Sequence, residues 1–433
     1  MENFVPPKLD RREFLGLLGA GAALSMLRPR AASASAYSVG VGRGSAPYDT
    51  TLRAIEASGQ WPGSALAGRT VVIKPNLVAR APSDSGITTD PDVVRAIVDL
   101  ALGDGAEQVL IVEGGAFGAA FSDCGYDFFH NYDPLGRVRL IDLNTGPEEM
   151  LPVPQGLAYA YLFLPEAVTG TDIFFISVAK MKTHTHTLAS LSMKNLFGLP
   201  KASRYSTSYS ANRFGMHERG VHQSVLDLNS VRPIDFAVVD AVWAMEGNGP
   251  FYGTSVRMDT VLAGKNALAV DRVCLEAMGI PQSAVQHLTL AADRDMGSKD
   301  LSEIQLLGDP LSPRPFVLPE IPSAISQPWV FPRSFAPRSG QTARFLYWLG
   351  SPGGLVYIRV VRGFPESSAL TPLRVVQNWT QTAPGIHFGG WDGRDDNGEW
   401  VQEPGFYAVQ IISRRDGWKT TKDYSVGWVQ VQL

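Results

Sequence analysis

The sequence predicts an α/β fold, with a mainly parallel sheet covered by helices on both faces, followed by a small all-β sandwich. Unbroken apolar runs, such as residues 71–73 and 173–176, are typical of strands that are buried on both faces. These runs alternate with helical patterns, which favours a mainly parallel sheet. Residues 345–433 instead show short alternating segments separated by Gly and Asp turns, the pattern of a β-sandwich.

The elements of the first part follow one another at regular intervals. Strands are predicted over residues 38–42, 70–74, 108–112, 138–143, 173–179, 235–239 and 260–263. Helices are predicted over residues 50–58, 89–102, 188–197 and 267–278. The second helix has the clearest start, because a capping side chain and an acid flank Pro91 in its first turn. Gly103 or Gly105 ends it.

Composition divides the chain into four segments. We expect an export signal over residues 1–36, the α/β domain over 37–322, a linker over 323–344 and the sandwich over 345–433. The region around the linker is rich in Pro and Ser and has few periodic apolar positions.

The amino terminus has the features of a signal peptide. Residues 10–15, Asp-Arg-Arg-Glu-Phe-Leu, resemble the twin-arginine export motif, and residues 15–27 are an apolar run too short for a bilayer span. Residues 34–36 offer a small-residue cleavage site. We therefore expect a periplasmic or extracellular protein that starts near Tyr37, with an uncleaved membrane anchor as the alternative. No later stretch is apolar and long enough to span a bilayer.

Charge and cysteine content exclude several classes of protein. The formal net charge is −4, and no basic run with interleaved aromatics indicates a nucleic-acid partner. Cys124 and Cys274 are the chain's two cysteines, too few for a disulfide scaffold or a four-cysteine iron–sulfur cluster. Two free buried thiols are favoured over a disulfide, which the sequence leaves open.

The strongest chemical signal follows the apolar strand at residue 173. Lys180, Lys182, His184 and His186 occupy every second position, so an extended chain would project them from one face. Buried cations need anionic or metal partners, and open α/β sheets bind ligands at the carboxyl ends of their strands. The pattern predicts a site for a small anionic ligand bearing phosphate or carboxylate, with an empty, solvated strand end as the alternative.

Histidine and carboxylate side chains are the candidates for chemistry at this site. We expect His184 to act as a general acid/base or as a metal ligand. His186 and Asp240 could complete a divalent metal site, although the neighbouring lysines favour a metal only together with an anion. Asp240 and Glu246 lie on a predicted strand-end loop and are further candidates for a catalytic base.

Other polar residues are predicted to bind the ligand because they follow strands or end a helix. Lys74 and Asn76 follow one strand, Glu113 and Gly114 follow the next, and Lys194 and Asn195 lie near the end of a predicted helix. The complete ligand-binding set is Lys74, Asn76, Glu113, Gly114, Lys180, Lys182, Lys194 and Asn195. Purely structural roles remain open for each pair: a capped sheet edge, a glycine turn, or a cation favoured at a helix end.

These motifs together resemble the family called DUF362, a domain of unknown function. The resemblance lies in Val71-Val72-Ile73-Lys74-Pro75-Asn76-Leu77, Thr89-Asp90-Pro91, Lys180-Met181-Lys182-Thr183-His184, Met193-Lys194-Asn195-Leu196-Phe197-Gly198, Val239-Asp240, Glu246-Gly247 and Ala269-Val270-Asp271. It implies an α/β domain whose reaction is not established. Some members carry ferredoxin-like cysteine clusters; this chain has none, so no iron–sulfur cluster is expected.

The carboxyl-terminal segment resembles the immunoglobulin-like module of flagellar hook-capping proteins. The resemblance lies in residues 390–398, Gly-Trp-Asp-Gly-Arg-Asp-Asp-Asn-Gly, and 404–407, Pro-Gly-Phe-Tyr. It implies a module that packs on the main domain or docks to a protein or envelope partner through residues 345–433.

Two functions follow from the sequence. The first is an exported enzyme that binds a small anion, with or without a divalent metal, and uses His184. The second is a non-catalytic exported ligand-binding or envelope-associated protein that docks through its sandwich. Both use the same cationic pocket, so the sequence separates them poorly.

Overall fold

The structure, a computed structural model, describes residues 37–115, 120–206, 212–319, 325, 328–349, 353–362, 371–414 and 423–433. The export signal predicted over residues 1–36 lies outside them and stays a prediction. Within the described ranges, no helix is both long enough and apolar enough to cross a membrane.

The first part of the chain alternates strands and helices, as predicted. Its strands are β1 (Tyr37–Arg43), β2 (Thr70–Pro75), β3 (Gln108–Glu113), β4 (Val138–Asp142), β5 (Glu148–Pro152), β6 (Tyr161–Pro165), β7 (Ile173–His184), β8 (Leu188–Ser190), β9 (Phe236–Asn248), β10 (Tyr252–Gly264) and β11 (Ile304–Gly308). Its helices are α1 (Pro47–Ser58), α2 (Pro91–Gly103), α3 (Ser192–Asn195), α4 (Ala202–Tyr205), α5 (Phe214–Glu218), α6 (Val221–Val231), α7 (Ala267–Met278) and α8 (Gln286–Ala292).

The central sheet is mainly parallel, which confirms the predicted fold class. Its strand order is β11-β1-β10-β9-β7-β2-β3-β4, with β8 paired to the end of β7. The run from β9 through β7, β2 and β3 to β4 is parallel throughout. Strand β10 is antiparallel to both of its neighbours.

Apolar side chains leave both faces of the sheet, which explains the unbroken apolar runs. Alternate residues belong to separate core clusters: Val72 and Phe175 pack on the α7 side, whereas Val71 and Phe174 pack on the α2 side. The two cysteines are free and buried, one in each cluster. They therefore lie on opposite faces of the sheet and cannot pair.

The helix starts agree well with the sequence signals. The Asp90 side chain caps α2 by accepting a hydrogen bond from the Asp92 N–H. Helix α7 has the predicted bounds, with Asn266 as its capping residue and the left-handed Gly279 after its last turn.

The helix predicted over residues 188–197 is wrong in its first half. Leu188–Ser190 form β8, which pairs with the end of β7, and the helix covers only Ser192–Asn195 before a short 3₁₀ turn. The helix begins where it does because the Asp271 carboxylate accepts hydrogen bonds from the N–H groups of Ser192 and Met193. This capping group comes from α7, so the local sequence does not reveal it.

Strands β9 and β10 are much longer than predicted. They form an antiparallel hairpin in which Glu246 is paired with Thr254. Asp240 and Glu246 therefore lie within strand β9, and the strand-end loop predicted there is wrong. The outer part of the hairpin is stabilised by its own two strands, so its side chains do not need the apolar pattern of the central sheet.

The carboxyl-terminal region is all-β, as predicted. Its strands are β12 (Trp329–Phe331), β13 (Ser334–Phe335), β14 (Ala343–Leu349), β15 (Gly354–Arg362), β16 (Thr371–Thr382), β17 (Gly385–Trp391), β18 (Gly405–Arg414) and β19 (Asp423–Val431). They form two mostly antiparallel sheets, β12-β14-β17 and β13-β19-β18-β15-β16, around a shared apolar core. Strands β12 and β13 lie inside the predicted linker. The hook-capping resemblance stays a prediction.

The last strand contacts the helices α5 and α6. The Tyr424 ring meets the Phe214 ring edge-on at a centroid distance of 6.2 Å. Gln223 donates to the Ser425 hydroxyl at 3.1 Å, and the Gln410 side chain donates to the Glu218 carbonyl. The all-β region thus packs against the segment that carries Phe214.

Candidate functional site

A cavity of about 540 Å³ opens at the carboxyl ends of β2, β3 and β7. The α5 segment and the turn of the β9–β10 hairpin form its other walls. The described residues that line it include four basic side chains, Lys74, Lys182, Lys194 and Arg213, against one carboxylate, Glu113. Aromatic rings from Phe197, Phe214, Phe251 and Tyr252 complete the lining.

Lys74 and Glu113 form a buried ion pair at one end of the cavity. The Lys74 ammonium lies 2.9 Å from a Glu113 oxygen, and both side chains are almost fully buried. Glu113 also accepts hydrogen bonds from the N–H groups of Leu77, Gly114 and Gly115. Burial lowers the pKa of Lys74 despite the opposing effect of Glu113. Burial raises the pKa of Glu113, but Lys74 and the N–H donors outweigh this, so its pKa lies below the usual value.

Asn195 links this ion pair to α3. Its amide donates to the Lys74 carbonyl at 2.9 Å, and its oxygen lies 3.3 Å from both the Lys74 ammonium and the Asn76 amide. The predicted residues Lys74 and Asn76 therefore meet Asn195 in space, although Asn195 lies about 120 positions later in the chain.

Gly114 allows close backbone approach. A Cβ atom there would come within 2.5 Å of the Gly198 carbonyl and the Arg213 guanidinium. The Gly114 N–H donates a hydrogen bond to the Glu113 carboxylate, so this donor already has a partner within the protein. The geometry supports a packing role for Gly114.

Lys180 is also paired, but its partner lies outside the cavity lining. Its ammonium is 2.9 Å from Asp240, and both side chains are buried. Asp240 further accepts from the N–H groups of Asp90 and Val242. The structure therefore places Lys180 and Asp240 in a structural pair beneath the site.

A register shift separates Lys180 from Lys182. Lys180 is opposite Asp240 on β9, whereas Lys182 is already opposite Met245. Lys182 is 1% exposed and lines the cavity, and its ammonium donates to the Ile87 carbonyl at 2.8 Å. No carboxylate of the described residues lies within ion-pair distance of it. Burial and then the positive charges of Lys194 and Lys180 lower the pKa of Lys182 strongly.

His184, His186 and Lys194 form a chain of contacts in the cavity wall. Strand β7 ends at His184, so His186 lies in the following turn and not, as predicted, in the extended row. The backbone N–H of His186 donates to His184 Nδ1 at 3.0 Å, and His184 Nε2 lies 3.1 Å from Lys194 Nζ. Because Nδ1 is an acceptor, a neutral His184 ring carries its proton on Nε2.

In both side chains, burial shifts the pKa towards the neutral form. Burial, then the nearby charge of Lys194, lowers the pKa of His184 well below its usual value. Burial lowers the pKa of Lys194 to about 7. No described carboxylate forms an ion pair with Lys194, and the Phe197 ring centroid lies 5.1 Å from its nitrogen.

Arg213 completes the basic wall from the segment before α5. It has a left-handed backbone with φ 56°, and its guanidinium donates to the carbonyls of Pro200, Gly115 and Gly198. Burial lowers its pKa to about 10, so it remains a cation at neutral pH. A non-glycine residue held in this conformation is uncommon and often found at functional sites.

Two side-chain oxygens of the cavity lining have no hydrogen-bond partner in the described part of the chain. They are Oδ1 of Asn76 and Oδ1 of Asn212. Buried polar atoms are rarely left without partners unless a ligand or water supplies them. Both oxygens are themselves buried, so a ligand reaches them only if the two side chains turn towards the cavity.

Glu246 lies away from the cavity lining. Its carboxylate accepts hydrogen bonds from Arg314 at 2.9 Å and from the Val317 N–H at 3.0 Å. Arg314 and the Val317 N–H lower the pKa of Glu246. The structure gives it a fixed partner on the segment that follows β11.

The described residues contain no group of three or more His, Cys, Asp and Glu side chains that could hold a metal ion. Asp240 is paired with Lys180, and both ring nitrogens of His184 contact other groups. The metal role predicted for His184, His186 and Asp240 therefore receives no support from this geometry.

Sequence reasoning missed the α5 side of the cavity. Asn212, Arg213, Phe214 and His217 all line it. The His217 ring lies 5.0 Å from the His186 ring and 4.8 Å from the Phe197 ring. One available signal was the clustering of histidines, because four of the chain's seven lie between residues 184 and 222.

Comparison with known proteins shows that the cavity lies in a part of the chain that matches a family model. Residues 71–276 match the family model of the domain of unknown function DUF362. The matched region contains all of the cavity's basic residues, those that the sequence predicted and Arg213 alike. The DUF362 match therefore covers the site but leaves the all-β region outside.

A curated relative has a more extensive match. The thylakoid-associated protein sll1697 of Synechocystis is 24% identical over 238 residues, which cover 53% of this chain and 68% of the relative. A solved β-glucosidase from Erythrobacter marinus is 10% identical and covers 91% of this chain, with a TM-score of 0.18. This chain spans 49% of the β-glucosidase.

Proposed function

We propose that the cavity binds a small anionic ligand through a phosphate or carboxylate group. The observation that supports this is a set of buried basic residues, Lys182, Lys194 and Arg213, that have no carboxylate partner among the described residues. They surround a cavity in which the one acidic residue of the described lining is already paired. Lys182 and Arg213 would hold the anion. Lys194 would contact another part of the ligand.

The energetic argument rests on the cost of burying charge. A buried cation is costly unless an opposite charge or several hydrogen bonds compensate it. The protein meets this need for Lys74 with Glu113 and for Lys180 with Asp240. A bound anion would do the same for Lys182 and would favour its charged form, and Arg213, already compensated by its hydrogen bonds to carbonyls, would add a second positive charge.

The cavity also suggests the rest of the ligand. A volume of about 540 Å³ lies within the usual range for small-molecule sites. The rings of Phe197, Phe214 and Phe251 would contact an apolar or planar part. Once turned towards the cavity, the oxygens of Asn76 and Asn212 would accept from hydroxyl or amine groups.

We further propose that the protein is an enzyme in which His184 takes part in proton transfer. His184 and Lys194 have strongly shifted pKa values in one cavity, and such clusters are typical of active sites. After a rearrangement that frees Nδ1, the neutral His184 ring would accept a proton, and the resulting imidazolium would return one.

The anion proposal can be tested by calorimetric titration with inorganic phosphate and pyrophosphate. The Lys182→Met variant keeps the apolar volume of the side chain but removes its charge. We expect its affinity to fall about 10- to 100-fold, the loss typical of one charged hydrogen bond. Glu246→Gln is the matched control, because it changes the charge of a buried residue outside the cavity lining.

The proposal fails if the wild-type protein binds neither anion, or if Lys182→Met and Glu246→Gln bind with equal affinity. Native mass spectrometry of the purified chain adds a second readout. A retained anionic ligand that is lost in Lys182→Met supports the proposal and identifies the ligand.

We propose that the protein is exported by the twin-arginine route, from the motif at Arg11 and Arg12. A non-catalytic exported ligand-binding or envelope-associated protein is the alternative, and the name of the thylakoid-associated relative agrees with association with a membrane. Cell fractionation of wild type and of a variant with both arginines changed to Lys tests export. A turnover screen with phosphorylated and carboxylated metabolites separates the enzyme from the binding protein.

A further inference from the structure

Lys194 differs from the other basic residues of the cavity in the group that contacts its nitrogen. Lys74 contacts a carboxylate and Lys182 donates to a carbonyl, whereas Lys194 Nζ contacts the ring nitrogen Nε2 of His184 at 3.1 Å. The Lys194 side chain is 7% exposed.

The hydrogen bonds of His184 determine which atom carries the proton. The His186 N–H points at Nδ1, so Nδ1 must offer its lone pair and the ring proton resides on Nε2. A protonated Nε2 is a donor, and an ammonium group has no lone pair to accept its hydrogen bond. The contact is therefore satisfied when Lys194 is a neutral amine.

A neutral amine is a nucleophile once its lone pair turns from the His184 Nε2–H towards a ligand. Lysines activated by burial or by nearby cations attack carbonyl carbons to form imines. Lys182 and Lys194 line the same cavity, and burial, which lowers the pKa of Lys194 to about 7, agrees with the hydrogen-bond pattern.

We propose that Lys194 forms an imine with an anionic aldehyde or ketone whose phosphate or carboxylate is held by Lys182 and Arg213. This inference rests on the anion site proposed above and adds the reacting group of the ligand.

The step balances without any other reactant. The Lys194 nitrogen forms a bond to the carbonyl carbon as the C=O π bond breaks, and a proton moves from nitrogen to the new alkoxide. The resulting carbinolamine loses its hydroxyl group and a second nitrogen proton as water, which gives the C=N bond. The Nε2–H of His184, 3.1 Å from the Lys194 nitrogen, is placed to donate a hydrogen bond to the new alkoxide and so to stabilise its charge.

Pyridoxal 5′-phosphate is a suitable probe, because it joins an aldehyde to a phosphate and a planar ring. The full chain is incubated with a small molar excess, reduced with borohydride to fix any imine, digested and mapped by mass spectrometry. We expect one predominant adduct, on Lys194, with labelling that inorganic phosphate slows. Pyridoxine 5′-phosphate, which has an alcohol in place of the aldehyde, should give no adduct.

Two variants keep the experiment decisive. Lys194→Arg preserves a basic side chain but cannot form an imine under these conditions, so its cavity adduct should disappear while circular dichroism shows a folded chain. Lys265→Arg removes an exposed lysine outside the cavity and should leave the adduct at Lys194 unchanged.

The results separate this inference from the anion proposal. Titration that shows phosphate binding, together with labelling of Lys194 no faster than of exposed Lys265, overturns the imine and leaves the anion site standing. Labelling mainly at Lys182 also overturns it. Absence of phosphate binding overturns the anion site, and Lys194 labelling that phosphate does not slow would then contradict the proposed holding of the ligand.

Discussion

The buried lysines of this protein fall into two groups that differ in what surrounds their charge. Lys74 and Lys180 each contact a carboxylate at 2.9 Å, whereas Lys182 and Lys194 have no carboxylate partner in the described ranges. All four lysines are at most 7% exposed to solvent. The paired lysines form ion pairs at the carboxyl edge of the sheet, and the unpaired ones line the cavity.

Lys180 and Lys182 make the comparison sharpest, because they are two positions apart on the same strand. Because the register between β7 and β9 shifts after Lys180, Lys180 lies opposite Asp240, whereas Lys182 lies beside the cavity. The difference teaches that residue type and spacing predict a basic edge, but the neighbouring strand decides which lysine is structural and which can bind a ligand.

The largest effect is expected from removing a paired lysine. Lys180→Met leaves the buried Asp240 without its cation, which should lower the free energy of unfolding by about 3–5 kcal/mol. Urea unfolding measures this loss. Adding Asp240→Asn to the variant removes the stranded charge and should recover part of the stability. An unchanged unfolding midpoint in Lys180→Met would show that the pair contributes little.

Removing an unpaired lysine should instead raise the free energy of unfolding, by an amount that depends on pH. The folded-state pKa of Lys194, about 7, lies below its usual 10.5, so the unfolded chain binds more protons between these values and stability rises with pH there. The destabilisation caused by burying the charged Lys194 is therefore fully present below about pH 7. We expect Lys194→Met to be more stable than wild type by about 1–3 kcal/mol at pH 6.

This difference should shrink as the pH rises from 7 towards 10.5. Thermal unfolding of both proteins across that range provides the test. A difference that stays constant with pH would mean that the amine is not destabilised by burial.

A smaller stabilisation is expected for Lys182→Met. The substitution removes a buried charge but leaves the Ile87 carbonyl without its donor, so the two effects partly cancel. We expect a free energy of unfolding about 0–2 kcal/mol above wild type in phosphate-free buffer. A loss as large as that of Lys180→Met would place Lys182 with the structural lysines.

The smallest effect is expected outside the cavity. Glu246→Gln keeps an acceptor for the Val317 N–H and loses an ion pair with Arg314, whose side chain is 46% exposed. Such pairs contribute about 0–1 kcal/mol, and high salt should reduce the difference further. A larger loss that salt does not reduce would show that Glu246 acts as a buried charge.

The sequence predicted the sheet and named some of the residues that line the cavity. Each candidate was named because it follows a strand or ends the next helix, and the structure brings six of them to one cavity: Lys74, Asn76, Lys182, His184, Lys194 and Asn195. Their positions depend on strand ends, which apolar runs mark clearly.

The rest depends on contacts between distant segments. Asp240 and Glu246 were expected at the site because a strand-end loop was predicted there. Both instead lie within β9 and pair with Lys180 and Arg314, contacts that the local sequence does not reveal. Arg213 and Phe214 reach the cavity through the packing of α5, for which no local pattern exists. The capping of α3 by Asp271 across two helices has the same origin.

The contact between β19 and the α5 segment has a consequence for biosynthesis. Phe214 lines the cavity, and Tyr424 packs against it from a strand more than 200 residues later in the chain. During translation, the first part of the sheet can fold early, but this wall gains its support only once residues 423–431 have left the ribosome. The site would then be complete only after the all-β region has been synthesised, and before any export of a folded chain.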